Sequence, residues 1–343
     1  MPFDRNFPPL AVSFVAAFML LTLVLPASAQ EIAGDDGGWI ATLQFENDIF
    51  GNTDQHFSHG LRAALMTPEN SVPEWIRDLA AEFPLFNAEH SRRAVFSLGQ
   101  NTYTPTDLVT PALQIDDRPY AGWLYGGIGL VSVDPDGTRL DNIELNIGVV
   151  GPASFADEVQ TLWHRWFGFQ HPYGWGNQLK NEPGIVLTYE RAWRHAGPAG
   201  FLGLDWGMTP HAGISLGNVL TQAAGGVTFR IGEDLQKNLD YGPPRIRPSL
   251  PGSDYFKRGG RLSWYFFLGA EGRAVGRNIF LDGNSFVDSH NVDKKYFVGD
   301  IQAGIAIIMG SVRVAYTHVY RTPEFDGQDA GDVFGAFSVS MMF

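Results

Sequence analysis

The chain has 343 residues and no cysteine, which excludes disulfides, a thiolate zinc site and a cysteine nucleophile. Its formal net charge of −13 argues against a nucleic-acid partner and is compatible with divalent cations. With 40 glycines, 21 prolines and 13% aromatic residues, the composition favours strands and turns over helices.

The first 29 residues have the pattern of a secretory signal. Arg5 gives a weakly positive start, residues 10–25 are largely apolar, and Ala27-Ser28-Ala29 is a small-residue cleavage pattern. We therefore expect a signal peptide over residues 1–29 and one domain over 30–343. No later apolar run is long enough for a transmembrane helix, which excludes a helical membrane protein.

The first predicted strand, residues 39–48, alternates apolar and polar side chains. One face carries Trp39, Ala41, Leu43 and Phe45, and the other carries Thr42, Gln44, Glu46 and Asp48. In a barrel embedded in lipid, the apolar set faces out and the polar set faces the lumen. Asn47 breaks this alternation, so either the strand ends there or a β-bulge redirects the side chain.

The second predicted strand covers residues 57–67. Ser58, Gly60, Arg62 and Ala64 are predicted to face the lumen, and His59, Leu61, Ala63 and Leu65 the lipid. Because a hairpin brings the end of one strand to the start of the next, Asp48 and Ser58 are expected to meet on the lumenal face of one rim.

The remaining chain predicts a short helix and ten further strands. The helix is expected over residues 73–83, and the strands near 93–101, before Val133, and near 140–150, 184–194, 203–217, 224–232, 260–281, 295–309, 312–321 and the C-terminus. The ending VFGAFSVSMMF, with one apolar face and a final Phe343, is typical of the closing strand of an outer-membrane barrel. The sequence thus predicts an all-β fold, a transmembrane antiparallel β-barrel of about twelve strands with short helices in its loops; a soluble β-sandwich is the alternative.

Polar groups with catalytic potential are concentrated in residues 151–182. A helix is predicted there, because Phe155, Val159, Leu162 and Trp166 recur at helical spacing. Gln160 and His164 lie four residues apart and therefore share one face of this helix. A neutral imidazole is a suitable general base, and a Gln amide can orient a water or a carbonyl oxygen. The alternative is that His164 only makes a hydrogen bond at a loop edge.

The barrel topology predicts which segments meet. If the N-terminus lies on the periplasmic side, the connections after the first, third and fifth strands all open at the outer end. Asn47, Asp48 and Ser58 are then neighbours of the loop 116–118 and of the helix with Gln160 and His164. The long segments 68–92 and 233–259 conflict with this topology, since inner connections are usually short.

A histidine base beside Asn, Asp and Ser oxygens, in a chain without cysteine, favours a metal-assisted hydrolase over a serine esterase. Asn47, Asp48 and Ser58 offer oxygen ligands that suit Ca²⁺, which would stabilise the developing oxyanion while His164 deprotonates a water. Ser58 as a nucleophile paired with His164, as in a serine-type phospholipase, stays open. So does a non-catalytic barrel, a channel or structural protein whose rim charges only bind ions or phosphates.

An ordered set of motifs carries a family resemblance. They are Phe45-Glu46-Asn47-Asp48, the hairpin from Thr53-Asp54 to Gly60, Asp117 to Trp123, Gly148 to Pro152, the Gln160/His164 pair and Gln178-x-x-Asn181-Glu182-Pro183. With these motifs the chain resembles the lipid A 3′-O-deacylase family of Gram-negative outer membranes over its whole mature length. The resemblance implies a twelve-stranded barrel that hydrolyses the 3′-acyloxyacyl ester of lipid A in lipopolysaccharide. It also implies dependence on Ca²⁺ and a histidine base on a short helix at the outer-leaflet end of the lumen.

Carried over by position, the resemblance implies His164 as the base and Gln160 as its companion. Asn47 and Asp48 become metal-side oxygens, and Ser58 stands where the family can have Thr. The catalytic candidates are therefore His164, Gln160, Ser58 and Asn47, and the metal candidates are Asp48, Asn47 and Ser58.

Two positions depart from the family pattern. The family has a lysine in the loop before the Asp-Arg motif, whereas the first lysine here is Lys180, so Arg118 or another base would have to contact phosphate. Gln170 stands where the family has Glu. These departures bear on substrate detail and metal affinity rather than on the fold.

Overall fold

The computed structural model describes residues 38–343 except 52, 54, 84–89, 198–199, 201–202, 237–238, 247–251 and 258–261. The predicted signal peptide, residues 1–29, lies outside the described residues, as does Asp54 of the hairpin motif. None of the helices in the described ranges is long and apolar enough to cross a bilayer.

The described chain forms a closed antiparallel β-barrel of twelve strands. Their bounds are β1 (Ile40–Asn47), β2 (His56–Met66), β3 (Ser91–Thr104), β4 (Ala121–Val133), β5 (Arg139–Val150), β6 (Glu182–Trp193), β7 (Asp205–Gly217), β8 (Leu220–Glu233), β9 (Ser263–Asn278), β10 (Phe297–Met309), β11 (Val312–Arg321) and β12 (Asp332–Met342). Each strand pairs with its neighbours along the chain, and β12 also pairs with β1, which closes the sheet. The short segment His195–Gly197 continues β6 in the same register against β7, because Ala192 opposes His211 and His195 opposes Met208.

Alternation along the strands sets the two faces of the barrel wall. In β1, Thr42, Gln44 and Glu46 are buried in the lumen, whereas Ala41, Leu43 and Phe45 face outward and are only partly buried. The outward positions of later strands form an exposed apolar belt that includes Leu65, Leu98, Ile128, Ile147, Ile185, Phe229 and Leu268. The predicted barrel and its closing strand are confirmed.

Helices are short and lie in the connections. They are α1 (Glu74–Ala81), α2 (Ala156–Phe167) and α3 (Ile279–Asp282), with 3₁₀ turns at Asp48–Gly51, Pro152–Ser154 and Gly174–Asn177. The predicted long strand 260–281 ends earlier, because the Asn278 side chain accepts a hydrogen bond from the Phe280 backbone and caps α3.

The long connection between β8 and β9 folds into the lumen from the inner end. Its described residues form buried ion pairs with the wall: Arg245 with Glu46 at 2.9 Å, Asp240 with Arg313 at 2.9 Å, and Asp254 with Arg62 at 3.0 Å. Its length therefore reflects a lumenal plug and not an outer loop. The even-numbered connections stay at the inner end, as the predicted topology requires.

Aromatic side chains fill the lumen near the outer end. Phe57, Tyr103, Trp123, Phe280 and Phe334 belong to one buried cluster there. Tyr103 and Phe280 stack with their ring centroids 4.0 Å apart. Together with the plug, this cluster occupies the lumen from both ends, which disfavours the channel alternative.

Candidate functional site

A β-bulge in β2 redirects the chain at the outer rim. Phe57 pairs with Tyr103 and His59 pairs with Thr102, so Ser58 is the extra residue. The Ser58 Oγ atom lies 2.5 Å from Oγ1 of Thr104, which has the outward parity of exposed Leu98. Ser58 therefore points outward, and its predicted lumenal position is wrong.

Of the two outcomes predicted at Asn47, the strand end is the one observed, because β1 ends at this residue, and the β-bulge lies in the facing strand β2. Asn47 opposes His59 in register, and both face outward. The Asn47 amide donates to the Ser58 carbonyl oxygen at 2.7 Å and accepts from the Ile49 backbone at 2.8 Å. These bonds hold the bulge against the end of β1.

Asp48 begins the 3₁₀ turn that follows β1. It is buried, and one of its carboxylate oxygens accepts a hydrogen bond from the Gln55 backbone at 2.5 Å. The first turn of the hairpin therefore fixes the carboxylate beside the bulge.

The segment that leads into α2 is pinned against the outside of the wall. Gly151, at φ 97°, donates its backbone N–H to the Gly122 carbonyl oxygen at 3.0 Å. The Gln100 side chain donates to the Ser154 carbonyl oxygen at 2.6 Å. A Cβ atom at Gly122 would lie 2.0 Å from the Ser154 hydroxyl, so only glycine allows this approach.

Helix α2 continues across the outer face of the wall. The ring centroids of Trp163 on α2 and Phe45 on β1 are 5.6 Å apart. The buried face of the helix carries Ala156, Val159, Gln160, Thr161 and His164. Trp166, which the periodicity assigned to the apolar face, is 54% exposed. The helix prediction is confirmed, but its apolar face is rotated from the predicted one.

His164 is oriented by the turn that ends α2. Gly168 has φ 75° and caps the helix with its N–H on the His164 carbonyl oxygen. The chain then returns, so that the Gln170 carbonyl oxygen lies 2.5 Å from Nδ1 of His164. Because a carbonyl can only accept, Nδ1 carries the hydrogen, and in the neutral ring Nε2 is then the acceptor nitrogen.

Gln160 is oriented by a neighbouring indole. Its Oε1 atom accepts a hydrogen bond from Trp175 Nε1 at 2.9 Å. The Gln160 side chain is buried, and its Nε2 atom has no hydrogen-bond partner among the described residues. Its amide therefore presents a donor that a ligand could use.

These side chains meet in one cavity between the barrel wall and α2, here named the wall–helix cavity. It is lined by Asn47, Asp48, Ile49, Thr53, Ser58, His59, Gln160, Trp163, His164 and Phe169. All five predicted site residues are therefore brought together. The lumenal position predicted for Asp48 and Ser58, and implied by the resemblance for His164, is wrong, since the cavity lies on the outer face of the wall. The cavity also contains His59, which was not a predicted site residue because strand alternation assigned it to the lipid-facing side.

The loop that contains Arg118 does not join the cavity. Arg118 is buried with its guanidinium 4.9 Å from the centroid of the Tyr103 ring and 3.4 Å from the Glu324 carboxylate. Tyr103 belongs to the lumenal cluster, so Arg118 lies on the other side of the wall and cannot contact a phosphate at the cavity.

The neighbouring Asp117 is ionised. Burial alone would raise the pKa of its carboxyl group, but hydrogen bonds from His56 and from backbone amides lower this pKa to about 2.

The oxygen atoms at the cavity are compatible with a hard cation. Asp48 supplies a carboxylate, Asn47 an amide oxygen and Ser58 a hydroxyl, all ligand types that Ca²⁺ accepts. Within the described ranges, no group of three or more His, Cys, Asp or Glu side chains could hold a metal ion. A cation here would have one carboxylate and would need oxygens from water or a ligand.

The chain matches a protein-family model and solved structures. A family model described as outer membrane protein LpxR matches residues 14–343. The solved structure of LpxR from Salmonella typhimurium matches with a TM-score of 0.70 and 19% identity, covering 89% of this chain and 100% of that chain. The β domain of the Bordetella autotransporter Brka matches with a TM-score of 0.43 and 14% identity, over 90% of this chain and 99% of that one. No curated protein matches by sequence.

Proposed function

Since this chain belongs to the family of the outer membrane protein LpxR, we propose that it is an outer-membrane esterase that hydrolyses the 3′-acyloxyacyl ester of lipid A. The observation that carries the proposal is the wall–helix cavity, where an oriented imidazole, an amide donor and hard oxygen ligands converge. Its position on the outer face suits a substrate that is itself a membrane lipid.

The substrate reaches the cavity from the membrane and not through the lumen. The plug and the aromatic cluster obstruct the lumen, whereas α2 and the turn after it carry exposed aromatic side chains. Trp166, Phe167 and Phe169 there are 54%, 58% and 39% exposed. Exposed aromatic and apolar side chains beside a polar cavity are suited to acyl chains, and polar saccharide groups remain at the rim.

His164 acts as the general base. Its Nδ1–H bond to the Gln170 carbonyl fixes the tautomer, so Nε2 can accept a proton from a water molecule. The water oxygen attacks the ester carbonyl carbon, and His164 returns the proton to the departing sugar oxygen. Gln160 holds its amide nitrogen towards the reacting group, because Trp175 occupies its oxygen.

Asn47, Asp48 and Ser58 would hold Ca²⁺ as the cofactor. When bound, Ca²⁺ supplies positive charge that stabilises the developing oxyanion. With one carboxylate among the candidate ligands, the affinity is expected to be low and to suit the calcium-rich cell surface. The Asn47 amide also keeps the hairpin closed through its bond to the Ser58 carbonyl.

The experiment is mass spectrometry of lipid A from cells that express the chain, with and without a Ca²⁺ chelator. We expect loss of the 3′-acyloxyacyl group, and retention of that group when Ca²⁺ is removed. Unchanged lipid A in the presence of correctly inserted protein and Ca²⁺ would contradict the proposed function.

The Ser58→Ala variant distinguishes a serine nucleophile from a water molecule activated by His164. The Ser58 hydroxyl lines the same cavity as His164, which keeps this mechanism open. In the water mechanism Ser58→Ala weakens Ca²⁺ dependence but leaves measurable cleavage, whereas loss of all cleavage at saturating Ca²⁺ would identify Ser58 as the nucleophile.

A further inference from the structure

His59 is a second imidazole at the wall–helix cavity, and the mechanism above does not use it. The residue is 6% exposed, and its buried Nε2 atom makes no direct hydrogen bond within the described residues. The polar group beside the ring is the Gln100 side chain, whose Oε1 atom also lacks a direct partner there. Leaving a buried polar atom unpaired costs about 1–3 kcal/mol. A bound ligand that supplied the missing partner would explain why the fold tolerates this arrangement.

The bulge explains how His59 reaches the cavity. In a regular strand, consecutive side chains point to opposite faces. Here Ser58 is an extra residue, and both Ser58 and His59 line the wall–helix cavity. The strand therefore presents two consecutive polar side chains to the space beneath α2, with Asn47 directly opposite His59.

Gln160 shows the same property from the other side of the cavity. Its Nε2 atom also lacks a partner within the described chain, and its orientation is fixed by Trp175. Thus the wall contributes one unpaired nitrogen and α2 contributes another, and the proposed base His164 lines the same space. Donors placed around one space can stabilise an oxygen that gains negative charge.

We propose that His59 is a catalytic residue whose neutral imidazole donates a hydrogen bond from Nε2 to the ester oxygen that becomes the oxyanion, jointly with Gln160. The inference rests on the proposed function and assigns this site a second donor. His59 keeps its proton throughout. Water gives a proton to His164, the new carbon–oxygen bond forms, the bond from the acyl carbon to the sugar oxygen breaks, and His164 protonates that oxygen.

The test measures binding of two non-hydrolysable lipid A analogues to the full mature barrel in detergent with Ca²⁺. One analogue replaces the 3′ ester by a phosphonate, which carries a negatively charged tetrahedral oxygen, and the other replaces it by an ether, which has no carbonyl oxygen. For His59→Phe we expect the phosphonate affinity to fall about 10- to 100-fold, as for the loss of one hydrogen bond to a charged group. The ether affinity should stay within about twofold.

A second variant distinguishes loss of the hydrogen-bond donor from misfolding. His59→Gln keeps a side-chain N–H donor and is expected to recover part of the phosphonate affinity. Unchanged phosphonate affinity in His59→Phe would overturn the proposal, and so would an equal loss for both analogues, since that pattern indicates packing only. The proposed function fails on a different measurement, the absence of cleaved lipid A for the wild type.

Discussion

At the scale of single residues, backbone groups orient the His164 ring. The proton on Nδ1 is held by the carbonyl oxygen of Gln170 and not by the side chain of that residue. The Gln170 side chain itself is exposed. A change of the Gln170 side chain should therefore leave the orientation of the His164 ring unchanged.

Gln160 and Gln170 form a matched pair for testing this account. Gln160→Glu replaces a buried amide donor by an acceptor, and we expect kcat to fall about 10²-fold because a donor to the oxyanion is lost. Gln170→Glu makes the same chemical change at an exposed side chain and should keep kcat within about twofold. Ester cleavage in detergent micelles, with folding checked by heat-modifiable gel mobility, measures both. Similar losses in the two variants would show that added negative charge, and not the donor, is responsible.

At the scale of elements, much of the architecture follows from patterns in the sequence. The alternation in β1 and the ending of β12 predict the wall, and helical spacing with Gln160 and His164 predicts α2. The bulge could not be read in the same way, because period-two alternation does not show where one residue is added. That single residue reverses the parity of Phe57 and turns Ser58 to the outer face, beside Asn47 and His59. The polar Asn47 at a position where alternation predicts an apolar side chain was the sequence signal for this site.

The helix cap gives an element-scale prediction. Gly168 adopts φ 75°, and the turn it makes carries the Gln170 carbonyl back to His164. Gly168→Ala places a side chain in the left-handed region at a cost of about 1–2 kcal/mol, so we expect kcat to fall several-fold with little change in KM.

Gly176→Ala is the control for this change. Gly176 has no atom within 4 Å of an added Cβ and lies in the neighbouring 3₁₀ turn. We expect its kcat to match that of the wild type. Equal kcat values for both alanine variants and the wild type would show that the cap does not orient the base.

At the scale of the whole molecule, the barrel wall separates the lumenal plug from the wall–helix cavity on its outer face. Ion pairs such as Arg245 with Glu46 and Arg313 with Asp240 bind the plug to the wall. Sequence alternation placed Glu46 in the lumen, but it could not show that a connection from the inner end folds back to meet it. The length of that connection conflicted with the short inner turns expected for a barrel, but it did not show where the segment folds.

The obstructed lumen predicts that the protein does not conduct ions. Purified barrel inserted into planar bilayers should give no steady single-channel current, because the plug and the aromatic cluster occupy the lumen. A porin of known conductance in the same bilayers is the control. Reproducible channel openings would support the channel alternative.

The central claim is that His164 in the wall–helix cavity removes an acyl group from lipid A, and lipid A mass spectra of two histidine variants test it most directly. His164→Ala should reduce cleavage about 10²-fold or more, whereas His195→Ala, which removes an exposed imidazole at the inner end of the barrel, should leave it at the wild-type level. Cleavage by folded His164→Ala that equals the wild type would contradict the account.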